Sequence, residues 1–330
     1  MIQITVTGGE PLIRKDIFEI LDFIAERQFG PRFFTNGTSL TEENANRLSS
    51  YAISHLFLSL DGVGPTNDLL RGTGTYDRIT RGLQIIAPKV HNITLSTTLH
   101  RYSREAVFDL FALAEEYGVR SILIRPLFQY RDHQTPMSIA PHDLDSLLDT
   151  LEAASTKHEI EYQLNKLPFR PVKKAVHIHD HPRDVHFSYF SQHNAFGCVG
   201  GNSVVGIKAN GVIITCGFLP HKYATGDNNV LKRSFIDLWN RSENVTILRD
   251  LTGNETCRNC SLLRLCGGGC RANTLLRTGD LNAVDPYCFW QTHGPVQLAP
   301  RGEARQYSDG IDPYMSERAI ITKCGSGSEL

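Results

Sequence analysis

The sequence predicts an α/β protein: a parallel sheet with helices packed outside it, followed by a smaller cysteine-bearing module. Three observations carry this. Short β-branched runs alternate with helical stretches from the start to about residue 165, the pattern changes beyond residue 197, and all eight cysteines lie in that second part. Parallel neighbours need long crossovers, so a regular strand and helix alternation reads as a parallel sheet. With 330 residues, 41% hydrophobic and 21% charged, the chain has apolar material for two cores.

The alternation opens with IQITVT (2–7), a helix over 15–28, PRFFT (31–35) and a helix over 42–51. HLFLSL (55–60), a helix over 76–87, NITLSTTL (92–99), a helix over 105–117 and RSILIRP (120–126) continue it. In IFEILDFIAERQF, Ile17, Ile20, Leu21, Ile24 and Ala25 share one face, leaving Glu19, Asp22, Glu26 and Arg27 for water. One more helix is expected over 141–156 and a strand over 158–165. In such folds ligands bind at the C-terminal ends of the strands, so the chemistry belongs just after each one.

Residues 166–196 read as a linker, with Pro168, Pro171 and Pro182 among His177, His179, His181 and His186. Those histidines match no metal-ligand spacing and read as solvated loop. Beyond it, VVGIKANGVIIT (204–215) reads as a hairpin turning at Asn210-Gly211, a pair favoured where both turn residues take positive φ. A helix over 234–242 follows. The expected organisation is a partial barrel over 1–165, the linker, an auxiliary module over 197–295 and a tail over 296–330.

Charge is balanced, 34 Lys and Arg against 35 Asp and Glu, which gives no overall basic field for nucleic acid or an anionic membrane. No run approaches a membrane span of about 18–20 apolar residues, and MIQITVTGGEP lacks signal-peptide features. A cytoplasmic protein is expected, with no membrane and no nucleic acid partner. Cytosolic thiols stay reduced, so clustered ones there favour metal over disulfides.

The cysteines run Cys198-x17-Cys216, then Cys257-x2-Cys260-x5-Cys266-x3-Cys270-x17-Cys288, with Cys324 an outlier in the tail. Iron–sulfur clusters and structural zinc both take thiolates from short loops, and spacing alone leaves both open. Two closed zinc sites need eight ligands, whereas seven thiolates suit two clusters, one keeping an iron free of cysteine. Gly267, Gly268 and Gly269 let backbone approach a bulky inorganic core and offer N–H donors to its sulfurs.

This order of seven cysteines, with Gly211 five residues before Cys216, resembles the SPASM extension that follows radical S-adenosylmethionine (SAM) domains. The resemblance implies that Cys198, Cys216 and Cys270 hold one auxiliary [4Fe–4S] cluster, and that Cys257, Cys260, Cys266 and Cys288 hold the other. No cysteine among residues 199–204 offers the first cluster a fourth thiolate. In the first half, TGGEP (7–11) resembles the motif that holds the SAM amino group. Gly8 and Gly9 permit close backbone approach, and Glu10 can accept from an ammonium. TNG (35–37), LSLDG (58–62) and RGTGTYDRITRGL from Arg71 also look familial. By the same resemblance Ser59, and after it Asp61, face the SAM ribose or carboxylate, while Arg125, from its place at a strand's C-terminal end in IRPL, meets a carboxylate of SAM or substrate or else forms a structural salt bridge.

Radical SAM enzymes carry a CxxxCxxC motif some tens of residues before GGEP. No CxxxCxxC occurs in these 330 residues, and Thr7 of TGGEP follows only six others. The fold expected from the resemblance is therefore a partial, N-terminally truncated radical SAM (β/α) barrel with a small C-terminal iron–sulfur module. The expectation is that Met1 is internal to a longer frame. A fragment keeping only auxiliary clusters and a decayed, noncatalytic relative are the alternatives, and the polypeptide as written would not itself generate the radical.

The function implied is hydrogen abstraction from a peptide or protein side chain, of the ribosomal-peptide or cofactor-maturation kind. SAM, two auxiliary clusters and an electron donor such as flavodoxin or ferredoxin would support it, with a radical SAM cluster only if an upstream segment supplies its ligands. The catalytic proton acceptor is not assigned. Anaerobic sulfatase maturases place an aspartate after the cysteine matching Cys216, where this chain has Gly217. Tetrapyrrole processing in heme-pathway relatives and a noncatalytic iron–sulfur or zinc protein are the competing readings. No GxSxG elbow surrounds Ser59, and Gly72-x-Gly74 lacks the rest of a phosphate loop.

Overall fold

Apolar side chains at alternate strand positions give the sheet one face that must be covered, and amphipathic crossover helices cover it. The computed structural model describes residues 3–127, 138–140, 143–164, 198–220, 228–249, 255–260 and 268–288. Six parallel strands form one sheet: β1 (Thr5–Val6), β2 (Arg32–Thr35), β3 (His55–Ser59), β4 (Ile93–Leu99), β5 (Ser121–Pro126) and β6 (Glu161–Leu164). Each strand bonds the next in sequence order. A doubly wound sheet reverses its strand order at a switch point, whereas this one winds in a single direction, as barrel units do.

The crossovers are α1 (Ile17–Glu26), α2 (Glu42–Ser49), α3 (Pro65–Arg71), α4 (Thr75–Ile86), α5 (Asp109–Glu116) and α6 (Leu144–His158). Phe33, Leu56, Leu58, Leu95, Ile122 and Ile124 point from the strands into one core shared with Leu21, Leu48, Leu83 and Phe111 of the helices. The opposite face is more polar. Phe34 stacks on Phe57 at 4.2 Å, His55 Nε2 meets Thr94 Oγ1 at 2.9 Å, and the Arg125 Nη2 donates to Ser96 Oγ at 2.6 Å. These residues alternate in register with the core set, so strand parity alone separates a packed face from a face free to hold ligand.

Two crossovers depart from expectation. The stretch between Gly62 and Gly72 holds the extra helix α3, started by Pro65 in its first turn, where a missing N–H costs nothing. The helix expected over 105–117 begins only at Asp109, because 101–108 form turns anchored by Ser103, whose Oγ accepts from His100 N and donates to Thr98 O.

In the second part, β7 (Gly206–Ile207) and β8 (Ile213–Ile214) pair antiparallel. The hairpin turn differs from the two-residue form expected. Gly211 has φ +83° but Asn210 does not take positive φ. Gly211 N donates to Lys208 O and Lys208 N to Val212 O, the bonds of a three-residue loop whose glycine forms the bulge. Then come α7 (Phe235–Arg241), α8 (Glu243–Thr246), α9 (Glu255–Arg258) and α10 (Arg271–Thr278), which starts at Cys270 and stops at Gly279 with φ +78°. Tyr287, fully buried, packs in the barrel core and donates its hydroxyl to Ile139 O at 3.1 Å, fastening this part to the sheet's helical layer. Cys266, Cys324, the linker over 166–196 with its histidines, and the tail over 296–330 lie outside the described residues.

Candidate SAM rim and cluster-binding module

Glycines close the first strand, so the chain turns there without a side chain over the sheet edge. A Cβ on Gly8 or Gly9 would meet nothing within 4 Å, and Gly8 has φ +148°, which disfavours any replacement. The backbone at this end of the barrel is open to a ligand. Glu10 behaves differently from the sequence expectation of a carboxylate waiting for an ammonium. Its Oε1 accepts from Leu12 N at 3.1 Å and Thr35 Oγ1 at 2.8 Å, and its Oε2 accepts from Asn36 N at 2.6 Å. Thus Glu10 ties the GGEP turn to the TNG turn, leaving part of one carboxylate oxygen for a ligand.

Ser59 ends β3 opposite Ser96 in register, and Ser96 receives the Arg125 guanidinium. Asp61, 7% exposed, accepts from Thr98 N at 2.7 Å through Oδ1 and meets Arg71 Nε at 2.8 Å through Oδ2. Burial holds the Arg125 guanidinium below its ordinary range, with Asp61 opposing that shift and Arg71 adding to it. The structure brings Ser59, Asp61 and Arg125 to one rim and adds Arg71 as the partner of Asp61. Arg71 and Arg125 around Asp61 carry one net positive charge at this corner of the rim, which suits a ligand carrying a carboxylate.

His100 stands outside every motif of the sequence. It follows β4 at the same parity as Ser96 and Thr98, which is the one signal that marks it. Only 2% exposed, it accepts from Tyr102 N at Nδ1, and its Nε2 has no hydrogen-bond partner. Burial pushes the His100 imidazole down, against the pull of Asp61. A folded pKa below the free-chain value means the unfolded chain binds the extra proton, so stability falls as pH drops through about 6.5 and below. Wild type should lose more urea resistance than His100→Gln between about pH 7.5 and about pH 5.5. Parallel losses in the two proteins would refute this.

The cysteines divide spatially in a way their spacing does not reveal. Cys216 packs with Phe218, Leu219 and Leu276 against Cys270 and Ala272. Cys198 lies in the adjoining cluster, which shares Leu219. Cys198, Cys216 and Cys270, far apart in sequence, thus converge on one neighbourhood. Among the described residues no three Cys, His or carboxylate groups meet at a single metal ion. A cubane spreads its irons over separate corners, so its thiolates need not meet at one point. Gly268 and Gly269 take φ of +82° and +79°, turning backbone N–H groups along the loop before Cys270. The donor set and this loop fit an iron–sulfur cluster.

Two residues that sequence reasoning missed organise the module. Asp285, 2% exposed, accepts from Cys270 N at 2.6 Å, Tyr287 N at 2.9 Å and Asn273 Nδ2 at 3.2 Å. Burial pushes the Asp285 carboxyl up, while the amides of Tyr287 and Cys270, the Arg271 charge and Asn273 pull it down. A Cβ on Gly269 would collide with this carboxylate, which is why glycine stands there. Arg271, 3% exposed, donates through Nη1 to Leu281 O at 2.8 Å and Ala283 O at 3.0 Å. A buried carboxylate ahead of Tyr287 carries no short-range sequence signature, so neither role is legible from the chain alone.

Residues 2–127, covering the first five strands, match the family model of the radical SAM superfamily. Over those residues the chain is similar to the radical SAM superfamily. Among its relatives are an AdoMet-dependent heme synthase of Methanosarcina barkeri, 26% identical over 87% of this chain and 82% of that protein, and the mycofactocin maturase MftC of Mycobacterium tuberculosis, 26% identical over 90% of this chain and 72% of that protein. These alignments run well past residue 127 into the cysteine-rich part, as expected of a radical SAM/SPASM protein. The fold is that of Streptococcus suis SuiB bound to its precursor peptide SuiA, with TM-score 0.68, 18% identity and 86% of this chain covered. The chain spans 64% of SuiB, a little under two thirds. Superfamily members use SAM and [4Fe–4S] clusters, and SPASM-type members carry auxiliary clusters. Among the described residues of this one, no helix is long and apolar enough to cross a membrane.

Proposed function

We propose that the protein is a radical SAM/SPASM enzyme that modifies a peptide or protein side chain by hydrogen abstraction. The observation that carries this is the convergence of Cys198, Cys216 and Cys270, far apart in sequence, on one neighbourhood, in a chain whose parallel sheet also brings Asp61 and Arg125 to its C-terminal rim. SAM reduced at a [4Fe–4S] cluster supplies a carbon radical able to take hydrogen from an unactivated position. No residue of these 330 is assigned to that cluster.

Gly8 and Gly9 leave room for the ligand's backbone-like end, and Glu10 rigidifies the two turns that flank it. Arg125 and Arg71 orient a carboxylate, while Asp61 fixes Arg71. Ser59 offers a hydroxyl on the same face. Cys198, Cys216 and Cys270 hold one auxiliary centre with an iron left for substrate, solvent or another side chain, and Cys257, Cys260, Cys266 and Cys288 hold the second. Held there, the clusters would accept the electron that a substrate radical gives up in becoming the oxidised product, and an external donor such as a flavodoxin or ferredoxin would supply the electron that SAM cleavage consumes. The module over 197–295 acts in the cytoplasm as an electron conduit and substrate platform.

Peptide substrates fit the full seven-cysteine complement, and one of the relatives is itself a maturase. The heme synthase relative favours a second reading, a tetrapyrrole substrate. Anaerobic incubation of the full protein with SAM, dithionite and each short peptide encoded beside its gene separates them by mass spectrometry. Loss of two hydrogens from a peptide supports the proposal. An unchanged peptide, together with binding of a tetrapyrrole seen by its visible absorption, overturns it. Metal analysis is expected to find about eight irons with matching sulfide, and one or two zinc ions instead would sink both readings.

A further inference from the structure

Arg271 has a structural task that the two carbonyl contacts do not exhaust. Its Nη1 is saturated by Leu281 O and Ala283 O, but its Nε and Nη2 are buried with no hydrogen-bond partner. The residue is 3% exposed, so bulk solvent does not serve them. Leaving a buried donor unsatisfied costs on the order of 1–3 kcal/mol, more for a charged group, and native proteins rarely tolerate two on one side chain. The nearby carboxylate of Asp285 does not bond them: its Oδ1 takes Tyr287 N and Asn273 Nδ2, and its Oδ2 takes Cys270 N.

The place these donors occupy identifies the missing acceptor. Arg271 directly follows Cys270, and its Nη2 lies against the open side of Gly268, 3.6 Å from where a Cβ would stand. That glycine has φ +82°, so a side chain there would be strained, and its Cβ would stand in contact with the guanidinium. Residues 268–271 therefore present a thiolate, a turn stripped of side chains and two idle cationic N–H groups together. An anionic acceptor with several sulfurs, held by the Cys270 thiolate, fits this.

We propose that Arg271 donates through Nε and Nη2 to sulfur of the auxiliary iron–sulfur centre bound through Cys270, and so sets its reduction potential. This rests on the reading of the module as a cluster-binding one. Hydrogen bonds and positive charge beside cluster sulfurs stabilise the reduced, more negative state, which raises the potential. Arg271 is a positioning and tuning residue, not a ligand. Lysine keeps the charge but cannot reach both carbonyl groups and the cluster with one ammonium, whereas methionine keeps the stem and removes charge and donors together.

The test is a redox titration of the anaerobically reconstituted full protein, followed by electron paramagnetic resonance, for wild type, Arg271→Lys and Arg271→Met. Iron and sulfide content per chain is measured on each sample. At a fixed solution potential Arg271→Met should hold at least tenfold less of one centre in its reduced form, a downward shift of about 59 mV for one electron, with altered resonance. Arg271→Lys should fall between, and the second centre should keep its potential. Unchanged potential and resonance in an Arg271→Met protein of full iron content overturn the proposal. If wild type itself binds no iron and sulfide, the cluster reading fails instead. Loss of iron only from Arg271→Met leaves the decision to Arg271→Lys, whose wild-type potential and resonance would also overturn it.

Discussion

Replacing Asp285 by alanine is expected to destabilise the cysteine-rich module by about 3–5 kcal/mol, the cost of removing one partner from a buried charged group. The carboxylate holds the amide of Cys270, the amide of Tyr287 and the side chain of Asn273, and it stands near Arg271. Its loss removes a negative charge from beside a guanidinium 3% exposed and releases the backbone on either side of the α10 start. Tyr287 is the anchor into the barrel core, so the fault spreads to the junction of the two parts. Asparagine is a sharper probe than alanine. It fills the volume, but its amide nitrogen faces the Cys270 or Tyr287 N–H donors, and one of them goes unserved. Urea denaturation followed by tryptophan fluorescence should show an early transition in both variants, because Trp239 lies in the second part, beside Arg249. A single unshifted transition would mean that the hub is dispensable.

The sheet is legible in the sequence because its signal is local. HLFLS, ITLSTTL and SILIRP each alternate a core residue with a ligand-face residue, and every crossover but α3 announces itself by an apolar stripe. Helix α3 escapes because its seven residues bury only Asn67, which bonds Asp61 N and Thr75 Oγ1 and so acts through polar contacts that periodicity does not register. The site is legible at the level of motif and not of partner. Glu10 and Asp61 stand out as candidates, yet what each holds depends on residues twenty-six to thirty-seven positions away, at Asn36 and Thr98. Arg271 is hidden for a related reason. A buried arginine looks like any other in sequence, and only its missing partners single it out.

Glu10 allows the second large effect to be separated from ligand binding. If its task were only to take a SAM ammonium, Glu10→Gln would fold normally and lose SAM affinity alone. The geometry predicts otherwise. Three donors converge on the carboxylate from Leu12, Thr35 and Asn36, and glutamine offers one oxygen where two are needed. Its NH2 group would point either at the Asn36 N–H or at the Leu12 N–H and Thr35 hydroxyl, and a buried donor facing a donor is the costly case. Hydrogen bonds to a charged acceptor contribute roughly 1.5–3 kcal/mol each and overlap when shared, so Glu10→Ala should cost about 3 kcal/mol and Glu10→Gln nearly as much. Hydrogen exchange locates the damage. The Asn36 amide, protected by Glu10 Oε2, should exchange faster in both variants, while amides of β4 keep wild-type protection. An Asn36 amide that stays protected in Glu10→Gln would return Glu10 to the role of ligand receptor, and the two turns would owe their alignment to the strands beneath them.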